Sequence, residues 1–161
     1  MVNGTTGAIG SAVVQFLKFY AVYVTAVCGT EHMELVRSLG AGKVIDYKTD
    51  DFTEDKEQYD FVIDAVGKST FARCKPLLKK NGIYTSSDGF VNIFFALITP
   101  LLGGKKVVFG IPKNAKPFLI FIKELIEKER FTPVIDKKYP IEKIAEPYNN
   151  VQTGKKKGKI F

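Results

Sequence analysis

Apolar positions follow two rhythms along the chain. Short runs rich in β-branched and aromatic residues predict strands at 23–28 (YVTAVC), 43–47 (KVIDY), 61–66 (FVIDAV), 83–86 (IYTS) and 105–111 (KKVVFGI). Between them apolar residues recur every three or four positions and predict helices. The first helix carries Ile9, Ala12, Val13, Phe16, Leu17 and Tyr20 inward. The second, capped by Thr30 and stopped by Gly40, carries Met33, Leu35, Val36 and Leu39. A third starts at Ser69, turns Phe71, Ala72, Cys74, Leu77 and Leu78 inward and ends before Gly82. A fourth, over 115–128, does the same with Phe118, Leu119, Ile122, Leu125 and Ile126. Residues 1–3 read as the end of a strand, and Thr49 caps a short polar helix over 50–55. A strand at 132–135, a helix from about Ile141 and a strand at 159–161 close the chain.

Strands alternating with helices at this spacing predict an α/β fold, a doubly wound parallel sheet of the Rossmann type. Its first strand is truncated to a few residues, and one domain spans 1–161. The nearly unbroken apolar run at 61–66 suits a parallel strand covered on both faces. The segment NGTTGAIG then falls at a strand-to-helix turn. Free amides and the helix dipole favour an anion there. Gly4 permits the turn, Gly7 lets a pyrophosphate approach the backbone, and Gly10 lets the helix pack closely. Glycine turns of this kind also occur without a ligand, so the motif alone is weak. After the second strand the chain reads CGTEH. An acidic residue gripping the adenosine ribose would signal NAD. Thr30 instead leaves room for a 2′-phosphate, which favours NADP(H). His32 is either an added donor or an exposed helix residue, and Glu31 must point away.

Composition narrows the classes. The 161 residues are 45% hydrophobic and 25% charged, enough for one real core. Cys28 and Cys74 are too few for a disulfide framework or a four-ligand zinc site, and read as buried thiols of a reducing cytoplasm. The net charge of +7 is uneven: nine basic against ten acidic residues up to Lys79, fifteen against seven from Lys80 onward. No RNA-binding motif or zinc-finger spacing accompanies the basic half, so no nucleic-acid partner is expected. The run FVNIFFALITPLL at 90–102 is too short to span a bilayer and contains Pro100. It reads as a segment packed on its own domain or covering an interface, and no membrane partner is expected.

The stretches NGTTGAIGSAVVQFLK, VTAVCGTEHMELVRSLGAGKVIDYKTDDF, YDFVIDAVGKSTFARCKPLLKKNGIYTS and PVIDKKYPIEKIAEPYNNVQTGKKKGKIF resemble the medium-chain dehydrogenase/reductase superfamily, in its zinc-independent, quinone oxidoreductase-like branch. The resemblance implies a cytoplasmic, dimeric, NADPH-dependent enzyme that passes hydride to quinones, enones or related carbonyl compounds. It implies that Gly7, Ala8 and Ile9 meet the pyrophosphate. Thr30 and Tyr47 would bracket the 2′-phosphate, and Val66 and Gly67 would touch the nicotinamide ribose. Phe109, Gly110 and Ile111 would lie near the nicotinamide, and a lysine of 155–159 would reach the 2′-phosphate. Tyr47, Val66 and Phe109 have a plainer alternative as strand or core residues. A homodimer is expected through the edge strand at 105–111.

Four departures from that pattern stand out. A GroES-like catalytic domain is expected ahead of the glycine turn, so the chain reads as a cofactor domain alone, binding NADP(H) with little turnover. A clipped central strand should lower its stability. Ala21 replaces a glycine that ends the first helix left-handed, a cost of about 1 kcal/mol. Pro147 interrupts the last helix, and Gly42 replaces an acidic residue with little consequence. Tyr139 and Lys143 form the Y-x-x-x-K of short-chain dehydrogenases, but Ala8 breaks that family's glycine pattern and Pro140 starts a helix where both groups need a helix interior. A non-enzymatic NADP(H)-binding or dimerisation module is the competing reading.

Overall fold

The computed structural model describes residues 1–87, 90–110, 114–140 and 159–160. Six parallel strands form one sheet: β1 (Val2–Asn3), β2 (Thr25–Cys28), β3 (Lys43–Asp46), β4 (Tyr59–Asp64), β5 (Leu78–Ser86) and β6 (Lys106–Val107), in the order β3-β2-β1-β4-β5-β6. Short as it is, β1 pairs on both sides, Val2 opposite Ala26 and Ile63, Asn3 opposite Val27 and Asp64. The strand order reverses between β1 and β4, so a crevice opens at their carboxyl ends. A separate parallel pair joins β7 (Ile135–Lys137) to β8 (Lys159–Ile160).

Both faces of the sheet are covered, as a doubly wound fold requires. On one face α1 (Ala8–Phe19) packs through Val14 onto Val2 and Val24, and α2 (Met33–Ser38) packs through Val36 onto Ala26 and Cys28. On the other face Val27, Val62 and Tyr84 meet Phe71 and Cys74 of α3 (Phe71–Cys74), together with Leu77, Leu78 and Val107. Phe95 and Ala96 of α4 (Phe90–Leu102) pack onto this cluster. Helix α5 (Ala115–Glu127) reaches α1 through aromatic rings: Phe16 lies 5.9 Å from Phe118 and 6.2 Å from Phe121.

Several local expectations change. Helix α1 buries Gly10, Ser11, Val14 and Gln15, while Ile9 and Tyr20 are exposed. Contact between Gly10 and the preceding turn sets the helix rotation, and Phe16 is turned toward α5. Buried Gln15 is satisfied: it donates to the carbonyls of Ser11 and Thr132 and accepts the Thr132 amide. The helix expected from Ser69 shrinks to the single turn α3, capped by Thr70, because Pro76 cannot continue the amide ladder and Leu78 already pairs with Tyr59 in the sheet. Asp51, not Thr49, caps a 3₁₀ turn at Phe52–Glu54. Of the expected inward face of α5 only Leu125 is buried. The strand at 105–111 is reduced to Lys106–Val107, although it does occupy the sheet edge, and the 132–135 strand forms later, at β7. Ala21 is left-handed as expected, with φ +55°. At Gly42 a Cβ would stand 2.4 Å from Cε2 of the Tyr23 ring, an exposed side chain that can swing aside. Pro147, Lys143 and the helix from Ile141 lie outside the described residues.

A charged cluster staples β3 to β4. The Lys43 ammonium contacts Asp55 at 2.9 Å and Glu57 at 3.0 Å, and the Tyr59 hydroxyl donates to Asp55. Burial raises the Asp55 pKa, but its bonds from Tyr59 and Lys43 outweigh this and leave it below the ordinary value. A carboxylate whose folded pKa is depressed stabilises fully above its unfolded pKa, near pH 4, and that stability is lost as pH falls through the folded pKa. Asp55→Asn is therefore expected to lower the melting temperature at neutral pH and to flatten its decline in acid. An acid limb identical to that of the parent chain contradicts this assignment.

Candidate cofactor cleft

Strand β1 ends in a turn that only glycine fits at two points. Gly4 has φ +80°, and a Cβ there would lie 2.1 Å from Cγ2 of Val66. A Cβ on Gly10 would lie 2.2 Å from the Gly4 carbonyl oxygen and 2.8 Å from Thr5 Cα. Gly10 thus lets α1 close onto its own turn, which aims the helix start at the crevice. The amides of Gly4 and Thr5 and the Thr5 hydroxyl all donate to the Val27 carbonyl, pinning the turn to β2. Gly7 is different. It caps α1 in an extended conformation, and a Cβ would meet only the Gly4 oxygen, at 3.6 Å. No other described residue would stand within 4 Å of it. No side chain caps the helix and no acidic residue sits in its first turn. Ser11 is the first amide to bond back, to Gly7 at 3.0 Å. The amides of Ala8, Ile9 and Gly10 precede it and have no carbonyl one turn behind them.

The facing rim is built around Asp64, which is 1% exposed. Its carboxylate accepts Asn3 Nδ2 and the amides of Val66, Gly67 and Ser69 at 2.8–3.1 Å. One side chain thereby ties β1 to β4 and folds the AVGKS loop over Gly4. Between the rims lies a cleft of about 410 Å³, lined among others by Gly4, Thr6, Tyr47, Phe52, Val66 and Lys68, with Arg73 at its edge. A larger cavity of about 720 Å³ lies at the opposite end of α1, against Lys18, Phe19, Leu39 and residues 129–135, far from the glycine turn.

The structure unites some of the expected residues and separates others. Gly4, Val66 and Tyr47 share the cleft. Thr30 does not line it and does not cap its helix; its hydroxyl donates to Asp46, holding that carboxyl below its usual pKa. Beside it Glu31 is bound to Lys48 at 2.6 Å, and the hydrogen bond from this ammonium holds the Glu31 pKa at about 2. The Thr30 side thus carries two carboxylates against one ammonium. His32 is not exposed: it is 8% exposed, its Nε2 lies 3.8 Å from Glu31, and its Nδ1 is buried with no hydrogen-bond partner among the described residues. Phe109 packs on the core and lies outside the cleft lining, and no described residue would stand within 4 Å of a Cβ on Gly110. Ile111 and the lysines at 155–157 lie outside the described residues.

Lys68, Arg73 and Phe52 were not anticipated. Lys68 has no ion-pair partner among the described residues, while Arg73 pairs with Asp51 at 3.1 Å in an exposed contact. Both follow the DAVG loop directly, in GKSTFAR, so the signal was two cations beside a predicted switch-point loop. Among the described residues no group of three His, Cys, Asp or Glu side chains stands where it could hold a metal ion. The open amides, the cleft and its two cations do suit a dinucleotide.

Comparison with known proteins agrees with this geometry. Residues 39–161 match the family model for zinc-binding dehydrogenases. The bovine (Bos taurus) mitochondrial NAD(P)H oxidoreductase RTN4IP1 is 30% identical over 99% of this chain and 46% of its own length. The chloroplastic quinone-oxidoreductase QR1 of Triphysaria versicolor is 31% identical over 99% of this chain and 50% of its own. The quinone oxidoreductase structure from Coxiella burnetii superposes with a TM-score of 0.87 at 18% identity, covering 99% of this chain and 50% of that one. The chain spans about half the length of the curated relatives it matches. It belongs to the medium-chain dehydrogenase/reductase superfamily, in the quinone oxidoreductase-like branch.

Proposed function

We propose that this chain is the cofactor-binding half of an NADPH-dependent oxidoreductase that reduces quinones, enones or related carbonyl compounds. The observation that carries the reading is the start of α1 at the sheet's switch point, uncapped by any side chain among the described residues, beside a cleft that Gly4 and Thr6 of its turn line together with two cations, Lys68 and Arg73. The cofactor supplies the hydride chemistry. The chain's own residues do the holding. Ala8, Ile9 and Gly10 present amides to the pyrophosphate, and Gly7 admits it. Val66 and Gly67, fixed by Asp64, form the facing rim against the ribose. Tyr47 and Lys68 receive the adenosine end, and the positive charge of Lys68 and Arg73 favours the 2′-phosphate of NADP(H) over NAD(H). Thr30 contributes through Asp46 and the turn it steadies, since its hydroxyl is already engaged.

The relatives named above carry mitochondrial and chloroplastic names, and cytoplasmic residence belongs to this proposal rather than to those names. A homodimer through the β6 edge belongs to it too, with Lys106 and Val107 as the ladder residues at that edge. The reading as a non-enzymatic NADP(H)-binding or dimerisation module rests on the same cleft and edge; turnover separates the two.

Titration with NADPH and NADH, followed by nucleotide fluorescence, tests the proposal. NADPH is expected to bind at least about tenfold more tightly, a difference of roughly 1.4 kcal/mol. Lys68→Ala is expected to erase most of that preference while leaving NADH unchanged. Equal affinities in the parent chain would overturn the NADP assignment. Turnover of 9,10-phenanthrenequinone by this chain is expected to be slight; a rate comparable with full-length relatives would show that the reacting groups lie within these 161 residues.

A further inference from the structure

Three side-chain ends gather over Gly29, the residue that follows β2. A Cβ on Gly29 would lie 3.1 Å from Glu31 Oε2, 3.2 Å from the Tyr47 hydroxyl and 3.3 Å from Lys48 Cε. Bare backbone at this point lets all three close over it. Tyr47 is the member of the group that lines the cleft. The Glu31–Lys48 ion pair, at 2.6 Å, therefore stands beside the end of the cleft that Tyr47 marks.

One residue fixes both partners from behind. Asp46, 6% exposed, accepts the Thr30 hydroxyl with one carboxylate oxygen and the Lys48 amide, at 2.9 Å, with the other. Thr30 precedes Glu31 directly, so Asp46 anchors the two backbones from which the pair extends. The pair itself can part. Its side chains are 49% and 47% exposed, and an ion pair so open to water gains little over two solvated charges. The other Glu31 oxygen faces His32 Nε2 at 3.8 Å. Among the described residues, Glu31 is the acidic side chain that makes an ion pair with Lys48.

A carboxylate in this place acts twice on an anion arriving at Tyr47. It occupies the ammonium that would meet the anion, and it repels the anion itself. A phosphate monoester carries between about −1.5 and −2 charges at pH 7, so it outcompetes a single carboxylate for the ammonium, though against that repulsion. NAD(H) has a hydroxyl at the same carbon and meets neither effect in full. Discrimination between two such ligands depends on built-in repulsion as much as on attraction.

We propose that Glu31 sets the nucleotide preference of the cleft, as an internal counter-ion that holds Lys48 and that the 2′-phosphate of NADP(H) must displace. This role rests on the NADP(H) reading above and extends it. Lys48 is a second source of preference, neutralised in the parent chain, whereas Lys68, unpaired among the described residues, stays available in the cleft. Glu31 and Lys48 tune specificity and touch no reacting atom.

Fluorescence titration of the full chain with NADPH and NADH tests the role. Glu31→Gln keeps the size of the side chain and removes its charge. The ratio of NADPH to NADH affinity is expected to rise about tenfold, with a melting temperature close to the parent's. The gain should fade toward about 1 M salt, where the Debye length is about 3 Å. Lys48→Gln in the parent chain is expected to lower the ratio only about twofold, because the ammonium is already occupied; beside Glu31→Gln it should remove the whole gain. Equal effects of Lys48→Gln in the two backgrounds would show two independent charges and overturn the counter-ion role. A ratio unmoved by Glu31→Gln, in a chain whose NADPH binding Gly7→Val abolishes, overturns this role and leaves the cofactor reading standing. A parent chain that binds no NADPH overturns both.

Discussion

Gly7→Val is expected to abolish NADPH binding while leaving the fold intact. Gly7 sits at φ −73° and ψ 171°, extended backbone that valine adopts readily. Among the described residues a Cβ there meets nothing nearer than 3.6 Å, so they leave room for it. The added methyl groups would stand where the pyrophosphate must approach Ala8, Ile9 and Gly10. Hydrogen bonds to charged groups contribute about 1.5–3 kcal/mol each. Pushing the phosphates away from two of them costs at least about 3 kcal/mol, a loss in affinity of more than roughly a hundredfold. Gly7→Ala, smaller by two methyl groups, should fall between. A Gly7→Val chain with the parental melting temperature and parental NADPH affinity would remove the phosphate assignment. The contrast with Gly10 is informative. The same substitution there collides with the Gly4 carbonyl and should destabilise the domain without any nucleotide present.

The second large effect is expected at Asp64. Its carboxylate is buried and accepts four hydrogen bonds, three of them from backbone amides of the loop over Gly4. Alanine would leave those donors without an acceptor, each costing about 1–3 kcal/mol. The loop can relax toward solvent, so the sum overstates the loss, and about 4 kcal/mol is expected in urea denaturation. Asp64→Asn keeps one carbonyl oxygen and should lose roughly half as much. Nucleotide affinity should drop in both, because Val66 and Gly67 lose their fixed place. A change below about 1 kcal/mol in Asp64→Ala would mean that the loop is held by something else.

Much of the frame was legible because hydrophobic rhythm and strand-to-helix alternation depend on local chemistry. The succession of strands and helices along the chain and the glycine turn follow from short stretches, and the left-handed Ala21 from the family resemblance. What was not legible depended on distant contacts. The inward face of α1 is set by Gly10 meeting Gly4, and Phe16 is drawn away by rings on α5, more than a hundred residues along. Asp64 reads as one polar residue in an apolar strand, and its role appears only when β1 lies beside it. Thr30 has the composition of a phosphate ligand, yet Asp46, sixteen residues away, takes its hydroxyl. Helix α4 defeats the reading that apolar means buried, because Asn92 and Thr99 bond the Phe71 and Val107 amides inside while Leu97 and Leu101 stay exposed.

Amide chemical shifts during an NADPH titration put the whole account at risk in one experiment. If the opening of α1 holds the diphosphate, the resonances of Ala8, Ile9 and Gly10 move most and saturate together with those of Val66 and Lys68. If those five stay in place while amides around Lys18, Leu39 and Thr132 move, the nucleotide occupies the far cavity and the cleft at the switch point is not its site.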